Sequence, residues 1–403
     1  MATQSQFAIP SFSGGQAMAS IGIMTMHRIL NYGSSLQAFA LRTLLADLAP
    51  SADIDYLDYR PGEPLIQDGR GASSPSRLRR LANKLKEYSA IDAPVPDVLR
   101  FMNHKRVYAR RYFPLISLKP DLNLDCNVDL HVIGSDEVFN CVQANANVGY
   151  AKDLFGIGSP ARSLISYAGS FGNTTLDRIR AHGLEQELAA AFSRFNHISV
   201  RDANSAEIIH DLTGVSPAIH LDPTLVVDLP SLARAPRSKM RSTPYLLVYA
   251  YPGRLTCEEN DHIKAYAKQQ SLKVLCFGGA QSCGDAFIDC DPFELLGYFQ
   301  QASAVVTDTF HGTIFSVLTE RRFATITRSS SGHGYGNIEK LGYLLDVLGL
   351  RQRELKHIQD LAGVLEPGIA YADVAQILAT EKRRTREYLT NAVKPLNNLT
   401  SHA

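Results

Sequence analysis

The sequence predicts an α/β protein made of two doubly wound parallel sheets that face each other across a cleft. Short apolar segments typical of buried strands alternate with helical stretches along most of the chain, which is the pattern of parallel sheets covered by helices. The alternation stops at a polar stretch marked by prolines and then starts again, which indicates a domain boundary. With 403 residues, the chain is long enough for two domains with separate cores.

The first domain is predicted over residues 19–228. It opens with the strand SIGIMTM (20–26), a helix whose apolar residues recur every four positions, and the strand DIDYLDY (53–59). A strand, helix and strand in this order favour parallel pairing. A helix is predicted at 184–192, and further strands are predicted at 129–134, 163–169, 197–202 and 218–223.

The second domain is predicted over residues 245–370, after a linker at 229–244. Its strands are predicted at YLLVYAY, KVLCFGG, SAVVTD and RFATIT. Its helices are expected near 258–270, at 292–301, after His311 and near 338–348. The final helix, at 371–393, has no strand after it, so it is expected to pack back across both domains.

Two segments depart from this pattern. Residues 1–18 lack the basic start and the unbroken apolar run of a secretory signal, and are expected to form a flexible tail. Residues 67–114 contain SRLRRLANKLKEY, whose leucines and basic residues lie on opposite sides of a helix, so a basic helical insertion is predicted. Its basic face is interpreted as a solvated surface or, alternatively, as a contact for an acidic glycan or a lipid carrier phosphate. Contact with a lipid carrier would be a peripheral membrane association.

Composition narrows the classes of function. The chain has 41 Lys and Arg residues against 40 Asp and Glu residues, a formal charge of +1, so no overall field attracts nucleic acid. The six cysteines form no CxxC pair, which predicts free thiols and a cytoplasmic protein. No carboxylate, His or Cys cluster has ligand spacing, so neither a metal nor a cofactor is expected. No apolar run approaches the length of a membrane span, and nothing in the sequence indicates an oligomeric state.

Polar residues follow several predicted strands, and ligands of open parallel sheets bind beyond the carboxyl ends of the strands. After the first strand, Asn31, Tyr32 and Gly33 precede two serines at a helix start. A glycine allows close backbone approach, and free N–H groups suit an anionic or hydroxylated ligand. The alternative interpretation is a plain capped loop.

A second polar group follows the strand at 129–134, where VIGSDEVFN contains Ser135, Asp136 and Glu137. Asp136 is interpreted as an acceptor of hydrogen bonds from sugar hydroxyls or as a general base. Serine and aspartate are also common helix caps, and that interpretation stays open.

An arginine lies at the end of the strand predicted at 197–202, in SVRD. The guanidinium of Arg201 matches phosphate or carboxylate oxygens two at a time, or it pairs with Asp202 or Asp222 as part of the structure. Asp222 itself, in HLDPTL, precedes a proline and is interpreted as fixing a turn near the interdomain connection.

The second domain contributes TDTFHGT, in which Thr309, His311, Gly312 and Thr313 stand between a strand and a helix. Hydroxyl groups, an imidazole and helix N–H groups would converge there. Such a group suits a leaving phosphate, with His311 donating a proton or a charge-assisted hydrogen bond. A purely structural histidine is the alternative.

Five segments together resemble the polysaccharide pyruvyl transferase family, in the same order and at similar intervals. The resemblance runs from about residue 21 to 326, and its most specific element is Asp-Thr-Phe-His-Gly-Thr at 308–313. The segments are NYGSSLQAFAL, VIGSDEVFN, SVRD, LDPTL and DPFELLGYFQQASAVVTDTFHGTIFSVL.

The resemblance implies two Rossmann-like domains arranged as in GT-B glycosyltransferases. It implies a transferase that moves pyruvate from phosphoenolpyruvate to a sugar diol of a surface polysaccharide or exopolysaccharide, forming a pyruvate ketal. The acceptor would be an oligosaccharide or a lipid-linked saccharide. By the same resemblance Arg201 and His311 belong to the donor site, and the loops of the first domain face the acceptor.

The residues and the resemblance together predict a site. The catalytic candidates are His311, Arg201 and Asp136, with Asp136 as base and His311 assisting the departure of phosphate. The donor-binding candidates are Thr309, Gly312, Thr313 and Arg201, and the acceptor-binding candidates are Asn31, Tyr32, Gly33, Ser135 and Glu137.

The chain departs from the family pattern at three positions. Glu137 and Phe139 stand where Gln and Trp are frequent, and the sequence contains no Trp, which predicts a smaller and more acidic acceptor platform. Thr309 stands where Ser is more usual and keeps the hydroxyl.

Two other functions fit the same architecture. A nucleotide-sugar glycosyltransferase would bind a nucleotide diphosphate in the second domain, although FGGAQSCGD near the expected base pocket has no recognisable nucleotide signature. A catalytically silent glycan-binding member of the family is the other alternative, and the presence of both His311 and Arg201 counts against it.

Overall fold

The computed structural model describes residues 18–66, 88–237, 243–328 and 337–400. The predicted tail, except for its last residue, and most of SRLRRLANKLKEY lie outside the described residues. Within these ranges no helix combines the length and the apolar character needed to cross a membrane.

Two parallel sheets of six strands each form the body of the protein, which confirms the predicted fold class. The first sheet has the order β2-β1-β3-β4-β5-β6 and the second has the order β12-β11-β10-β7-β8-β9. All pairs between these strands are parallel. The strands are β1 (Ser20–Met24), β2 (Asp53–Tyr56), β3 (Leu130–Asp136), β4 (Ser163–Gly169), β5 (Ser199–Val200), β6 (Ala218–Ile219), β7 (Tyr245–Tyr249), β8 (Lys273–Phe277), β9 (Ala286–Phe287), β10 (Ala304–Thr307), β11 (Phe323–Ile326) and β12 (Glu354–Leu355).

Helices connect most of the strands. The amino ends of three of them are capped by the side chains of polar residues that follow strands, namely Asn31, Asp202 and Thr309. The helices are α1 (Tyr32–Leu48), α2 (Val95–Tyr112), α3 (Leu176–Ala181), α4 (Glu185–Phe192), α5 (Ala203–Thr213), α6 (Cys257–Gln269), α7 (Pro292–Gln301), α8 (Phe310–Leu318), α9 (Ile338–Val347), α10 (Leu361–Leu365) and α11 (Tyr371–Thr400).

Each sheet has a point at which the strand order reverses, and loops at such points form the crevice where ligands of this fold class bind. In the first sheet the reversal falls between the neighbouring strands β1 and β3, and in the second it falls between β7 and β10. The loops that follow these four strands therefore begin at the two crevices.

A hydrophobic cluster spans both domains, and further clusters lie within each domain. One cluster of buried side chains includes Ile21 and Leu36 from the first domain together with Leu247 from the second. Across the boundary, the ring centroids of Phe39 and Phe293 are 5.2 Å apart. This contact removes apolar surface of both domains from water, which is the main favourable term in association, so the structure has a fixed relation between the two sheets.

The helix α11 contacts both domains. The Tyr371 hydroxyl near its amino end donates to the carbonyl of Arg321 in the second domain, at 2.5 Å. Further along, the Tyr388 hydroxyl donates to the carbonyl of Ser166 in β4, at 2.7 Å. The helix thus ties the second domain to the first sheet.

Candidate functional site

A cavity of about 270 Å³ lies where the two sheets meet. Its walls come from the loops after β1, β3 and β5 of the first domain and after β7 and β10 of the second, and from helix α9. The described residues that line it are Met26, Ile29, Asn31, Ser34, Asp136, Glu137, Gln143, Asn145, Val148, Arg201, Tyr251, Arg254, Thr309, Phe310, His311 and Lys340.

Arg201 and His311 meet at this cavity, one from each domain. Arg201 Nη1 lies 3.1 Å from Asp222 Oδ2, and His311 Nε2 lies 3.6 Å from the same oxygen. The first contact is a hydrogen bond, whereas the second is too long for one and is electrostatic. A single buried carboxylate therefore positions both predicted donor-site side chains.

Both side chains have a buried nitrogen without a hydrogen-bond partner in the part of the chain that the structure describes. Arg201 is 4% exposed and His311 is 7% exposed. Within the described residues, neither Arg201 Nε nor His311 Nε2 has a hydrogen-bond partner. Because buried polar groups are almost always paired, two unpaired nitrogens at one cavity indicate a place for a polar ligand.

The charge of Asp222 is stabilised by its surroundings. Burial alone would raise the pKa of its carboxyl, but His311 and Arg201, with the Thr224 hydroxyl, hold that pKa well below its ordinary value. Asp222 also accepts from the Thr224 N–H at 3.1 Å, so it does fix the turn that the sequence indicated. Its contacts with Arg201 and His311 are an additional role.

Arg201 is held on three sides. Its guanidinium lies over the ring of Phe310 at 4.2 Å, and its Nη1 is 3.7 Å from Asp136 Oδ1. Burial alone would lower the pKa of Arg201, but Asp136 and Asp222 raise it. The guanidinium is therefore charged and oriented before any ligand binds.

Gly33 lies directly against His311. A Cβ atom added at Gly33 would lie 2.2 Å from His311 Nδ1 and 2.9 Å from His311 Cβ. Such a distance is far inside van der Waals contact, so only glycine fits here without moving the imidazole. Gly33 was predicted to bind the acceptor, but it does not line the cavity; it makes room for His311.

Asp136 does line the cavity, and both of its carboxylate oxygens have protein partners. It accepts from the Ser34 hydroxyl at 2.9 Å and from the Glu137 N–H at 3.0 Å. Its backbone has a φ of 74°, a left-handed conformation that is uncommon for residues other than glycine and is often found at functional sites. Asn31, which caps α1 through a 2.7 Å bond from the Ser34 N–H, also lines the cavity.

Glu137 lines the cavity and forms an ion pair across the domain boundary. Its Oε1 lies 2.7 Å from Lys340 Nζ of α9, and its Oε2 accepts from Asn140 at 3.0 Å. Burial alone would raise the pKa of Glu137, but Lys340 lowers it to about 2. Glu137 is consequently a carboxylate already engaged with the second domain.

Two predicted acceptor residues are placed away from the cavity. Tyr32 is 1% exposed, and its hydroxyl donates to the Cys290 carbonyl of the second domain at 2.9 Å. Ser135 is completely buried and donates to Gln37 at 3.1 Å and to Asp222 at 3.2 Å. Neither residue lines the cavity, because one side chain joins the domains and the other bonds to Asp222. Their contact with an acceptor stays a prediction.

Two predicted donor residues are also placed differently from the prediction. The N–H of Gly312 donates to the Thr309 hydroxyl at 2.9 Å, so this amide caps its own helix and is not open to a ligand. The Thr313 hydroxyl lies in the interior, 2.9 Å from the Thr325 hydroxyl. Thr309 itself lines the cavity, but its side chain is occupied as the cap of α8.

Two cationic side chains of the second domain were missed. Arg254 follows β7, stacks on the ring of Tyr251 at 4.6 Å and lines the cavity. Its Nη1 lies 3.8 Å from Asp308 Oδ2. The rule used for the other loops, that polar residues after a strand are candidates, applies to Arg254 as well, whereas Lys340 lies inside a helix and has no such signal.

Asp308 supports Arg254 from the interior. Its carboxylate is fully buried and also lies 3.6 Å from Arg328 Nη1. Burial raises the pKa of Asp308 above its ordinary value, although Arg254 and Arg328 act to lower it. The residue therefore fixes the position of two arginines and does not contact the cavity itself.

The residues after β1 that do not line this cavity have a structural use. His27 Nε2 lies 3.1 Å from Asp58 Oδ1, and Arg28 Nη2 donates to Asp58 Oδ2 at 2.9 Å. Burial alone would raise the pKa of Asp58, but these partners hold it well below its ordinary value. Both side chains thus fasten the first loop to the end of β2.

Solved structures share the fold of this chain at low sequence identity. A protein from Listeria monocytogenes described as a UDP-N-acetylglucosamine 2-epimerase matches with a TM-score of 0.50 at 8% identity, over 91% of this chain and 95% of that chain. The UDP-N-acetylglucosamine 2-epimerase of Rickettsia bellii matches with a TM-score of 0.47 at 9% identity, over 93% and 98% of the two chains. The trehalose 6-phosphate synthase of Burkholderia multivorans matches with a TM-score of 0.47 at 9% identity, over 96% and 99%. At such identities the likeness concerns the fold alone, which is GT-B-like.

Comparison at the level of sequence is more specific. A search among curated proteins finds no significant match. The model of the polysaccharide pyruvyl transferase family matches residues 31–330, well over half of the chain. This range contains all five motif segments, and the cavity contains the arginine and the histidine from two of them. The chain therefore belongs to the polysaccharide pyruvyl transferase family, a family of transferases.

Proposed function

We propose that the protein transfers pyruvate from phosphoenolpyruvate to two hydroxyl groups of a saccharide, with release of phosphate. One observation carries the proposal: Arg201 and His311, from different domains, share Asp222 at one cavity, and a buried nitrogen of each has no hydrogen-bond partner among the described residues. A volume of about 270 Å³ is near the lower end for small-molecule sites, which suits a small anionic donor.

The cationic groups around the cavity support an anionic donor. Arg201, Arg254 and Lys340 all line it, and a guanidinium binds carboxylate or phosphate through two parallel hydrogen bonds. The first N–H groups of a helix have no intrahelical partner, and those of Phe310 and His311 open helix α8 at the cavity. These two amides replace Gly312 as candidates for the anion-binding helix end.

The reaction has a simple balance of atoms. The methylene carbon of the donor gains one proton and becomes a methyl group, which leaves an oxocarbenium-like carbon. Two acceptor hydroxyl oxygens bond to that carbon in turn, and the carbon–oxygen bond to phosphate breaks. Of the two hydroxyl protons released, one balances the proton on the methyl group and the other leaves with phosphate.

Asp136 and His311 are suited to these proton movements. Asp136 lines the cavity beside Asn31 and Ser34, and as a carboxylate it can accept the proton of an attacking hydroxyl. His311, oriented by Asp222, is suited to deliver a proton or a hydrogen bond to the departing phosphate. No step in this scheme uses a metal or a cofactor.

The test is an assay of phosphate release with phosphoenolpyruvate and a panel of oligosaccharides. Removal of the proton-transfer group in His311→Ala should lower kcat by roughly 10²- to 10⁴-fold. Arg201→Lys keeps the charge next to Asp222 but loses the planar fork, so it should raise KM for the donor. The matched control is His357→Ala, which changes an exposed histidine of the second domain and should leave both constants unchanged.

Two results would overturn the proposal. Wild-type rates in both His311→Ala and Arg201→Lys would remove the two central residues from the reaction. Calorimetry with phosphoenolpyruvate and with UDP gives the second result, since binding of UDP alone would favour a nucleotide-sugar glycosyltransferase.

A further inference from the structure

A second cavity, of about 490 Å³, lies directly beside the first. It runs between helix α5 of the first domain and helix α9 of the second, and we call it the α5–α9 groove. Lys340 lines both cavities. Gly172 lines the groove, and a Cβ atom added to it would lie 2.5 Å from Glu137 Oε2. The ion pair of Glu137 and Lys340 is therefore the partition between the groove and the cavity of Arg201 and His311.

The groove has the mixture of groups that saccharide sites use. Asn204, Glu207 and Glu339 line it and carry side-chain oxygens that can accept hydrogen bonds from hydroxyls. The Asn204 amide nitrogen already donates to the Thr174 carbonyl at 3.1 Å. Tyr343, half-buried in the wall, adds an aromatic ring with an apolar face and a polar tip. Asp202 is already engaged, because it accepts from the Ser205 N–H at 2.8 Å and from the Ser170 hydroxyl at 2.6 Å.

The charges of the groove select the kind of saccharide. Its two cations are both paired, since Lys340 bonds to Glu137 at 2.7 Å and Arg351 lies 3.3 Å from Asp346. Glu207 and Glu339 are exposed, and no ion pair to either occurs among the residues that the structure describes. The groove thus carries an excess of negative charge, which repels anionic ligands.

We propose that the α5–α9 groove binds the acceptor chain on the far side of the Glu137–Lys340 pair, and that it takes neutral or amino sugars in preference to uronate-bearing or phosphorylated ones. The inference rests on the proposed function, because it needs a saccharide whose diol reaches His311. A ligand in the groove would contact both domains, and at Lys340 it would lie next to the cavity of Arg201 and His311.

The experiment measures saccharide binding without turnover. Labelled enzyme is applied to an array of neutral, amino and uronate-bearing oligosaccharides, and calorimetry follows with the best neutral glycan and its uronate counterpart. The variants are Tyr343→Ala and Glu207→Lys, with Asp211→Lys as matched control, since Asp211 is an exposed carboxylate of the same helix α5 outside the groove.

Neutral or amino glycans should bind at least about fivefold more tightly than the uronate counterpart, and Glu207→Lys should reduce that preference through its two-unit change of charge. Tyr343→Ala should weaken neutral glycans, and Asp211→Lys should change nothing. The inference is overturned if no array glycan binds, if uronates bind as tightly as neutral glycans, or if both groove variants behave as the wild type. Calorimetry of phosphoenolpyruvate with the wild type and with Tyr343→Ala separates the two proposals. If the wild type does not bind phosphoenolpyruvate, the proposed function is rejected. If Tyr343→Ala binds phosphoenolpyruvate normally and its glycan binding is also unchanged, only the groove proposal is rejected.

Discussion

The contact between Gly33 and His311 allows the site to be tested by one methyl group. In Gly33→Ala the added Cβ would lie 2.2 Å from Nδ1 of the imidazole, and contacts below 3.4 Å are tight. The ring must therefore move by about 1.2 Å from its position beside Asp222. A displacement of this size at a reacting group costs on the order of 100-fold in rate, so kcat/KM in the phosphate-release assay should fall about 100-fold.

Stability should change much less than activity. Alanine favours the helix by about 1 kcal/mol relative to glycine, whereas overpacking of a buried site costs roughly 1–3 kcal/mol, so the free energy of unfolding should fall by at most about 2 kcal/mol. The control is Gly363→Ala in α10, where an added Cβ meets nothing within 4 Å. This control should keep full activity.

A double mutant makes the contact visible without an activity assay. In a His311→Ala background most of the obstruction is gone, so Gly33→Ala should then cost little stability in urea unfolding. If Gly33→Ala has the activity of the wild type, or the same stability cost with and without the imidazole, the two domains do not meet at His311 as described.

Three further predictions concern the neighbouring residues. Arg254→Ala should raise KM for phosphoenolpyruvate with a smaller effect on kcat, which steady-state kinetics with varied donor would measure; an unchanged KM would place the donor elsewhere. Tyr32→Phe removes the hydrogen bond to the Cys290 carbonyl, so the free energy of unfolding measured in urea should fall by roughly 1–3 kcal/mol while kcat stays nearly unchanged. A large rise in KM for the acceptor would instead place Tyr32 in the acceptor site. The pKa of Asp222 in the folded protein is below that of an unfolded aspartate, which is about 3.9. The stabilising effect of its carboxylate is therefore complete above that pH and is lost as the pH falls below it. The urea midpoint of unfolding should fall on acidification in the wild type and should fall less in Asp222→Asn.

Periodicity predicted most of the fold. The long strands are apolar on both faces because helices cover both sides of each sheet, and they occur close to the predicted positions. The edge strands β9 and β12 have two residues each, too few for any period to be read. The predicted strands at 197–202 and 218–223 are real but contain only Ser199–Val200 and Ala218–Ile219, because polar loop residues begin immediately after them.

The site was predictable only in part. Arg201, Asp136 and His311 line one cavity, as the ends of parallel strands indicated, but their roles stay predictions. Tyr32 could not be placed from its sequence neighbours, since its partner Cys290 is 258 positions away. Contacts across two domains depend on how the sheets face each other, and no local pattern encodes that orientation.

The continuous apolar core has a consequence for how substrates arrive. Two lobes joined by the Phe39–Phe293 and Tyr32–Tyr249 ring contacts cannot swing widely apart without exposing that core to solvent. If the proposed function holds, donor and acceptor would enter the cavity of Arg201 and His311 without such a movement. Folding itself brings Arg201 and His311 together at Asp222. A substitution that weakens the contacts between the two lobes should therefore separate these side chains before it unfolds either sheet.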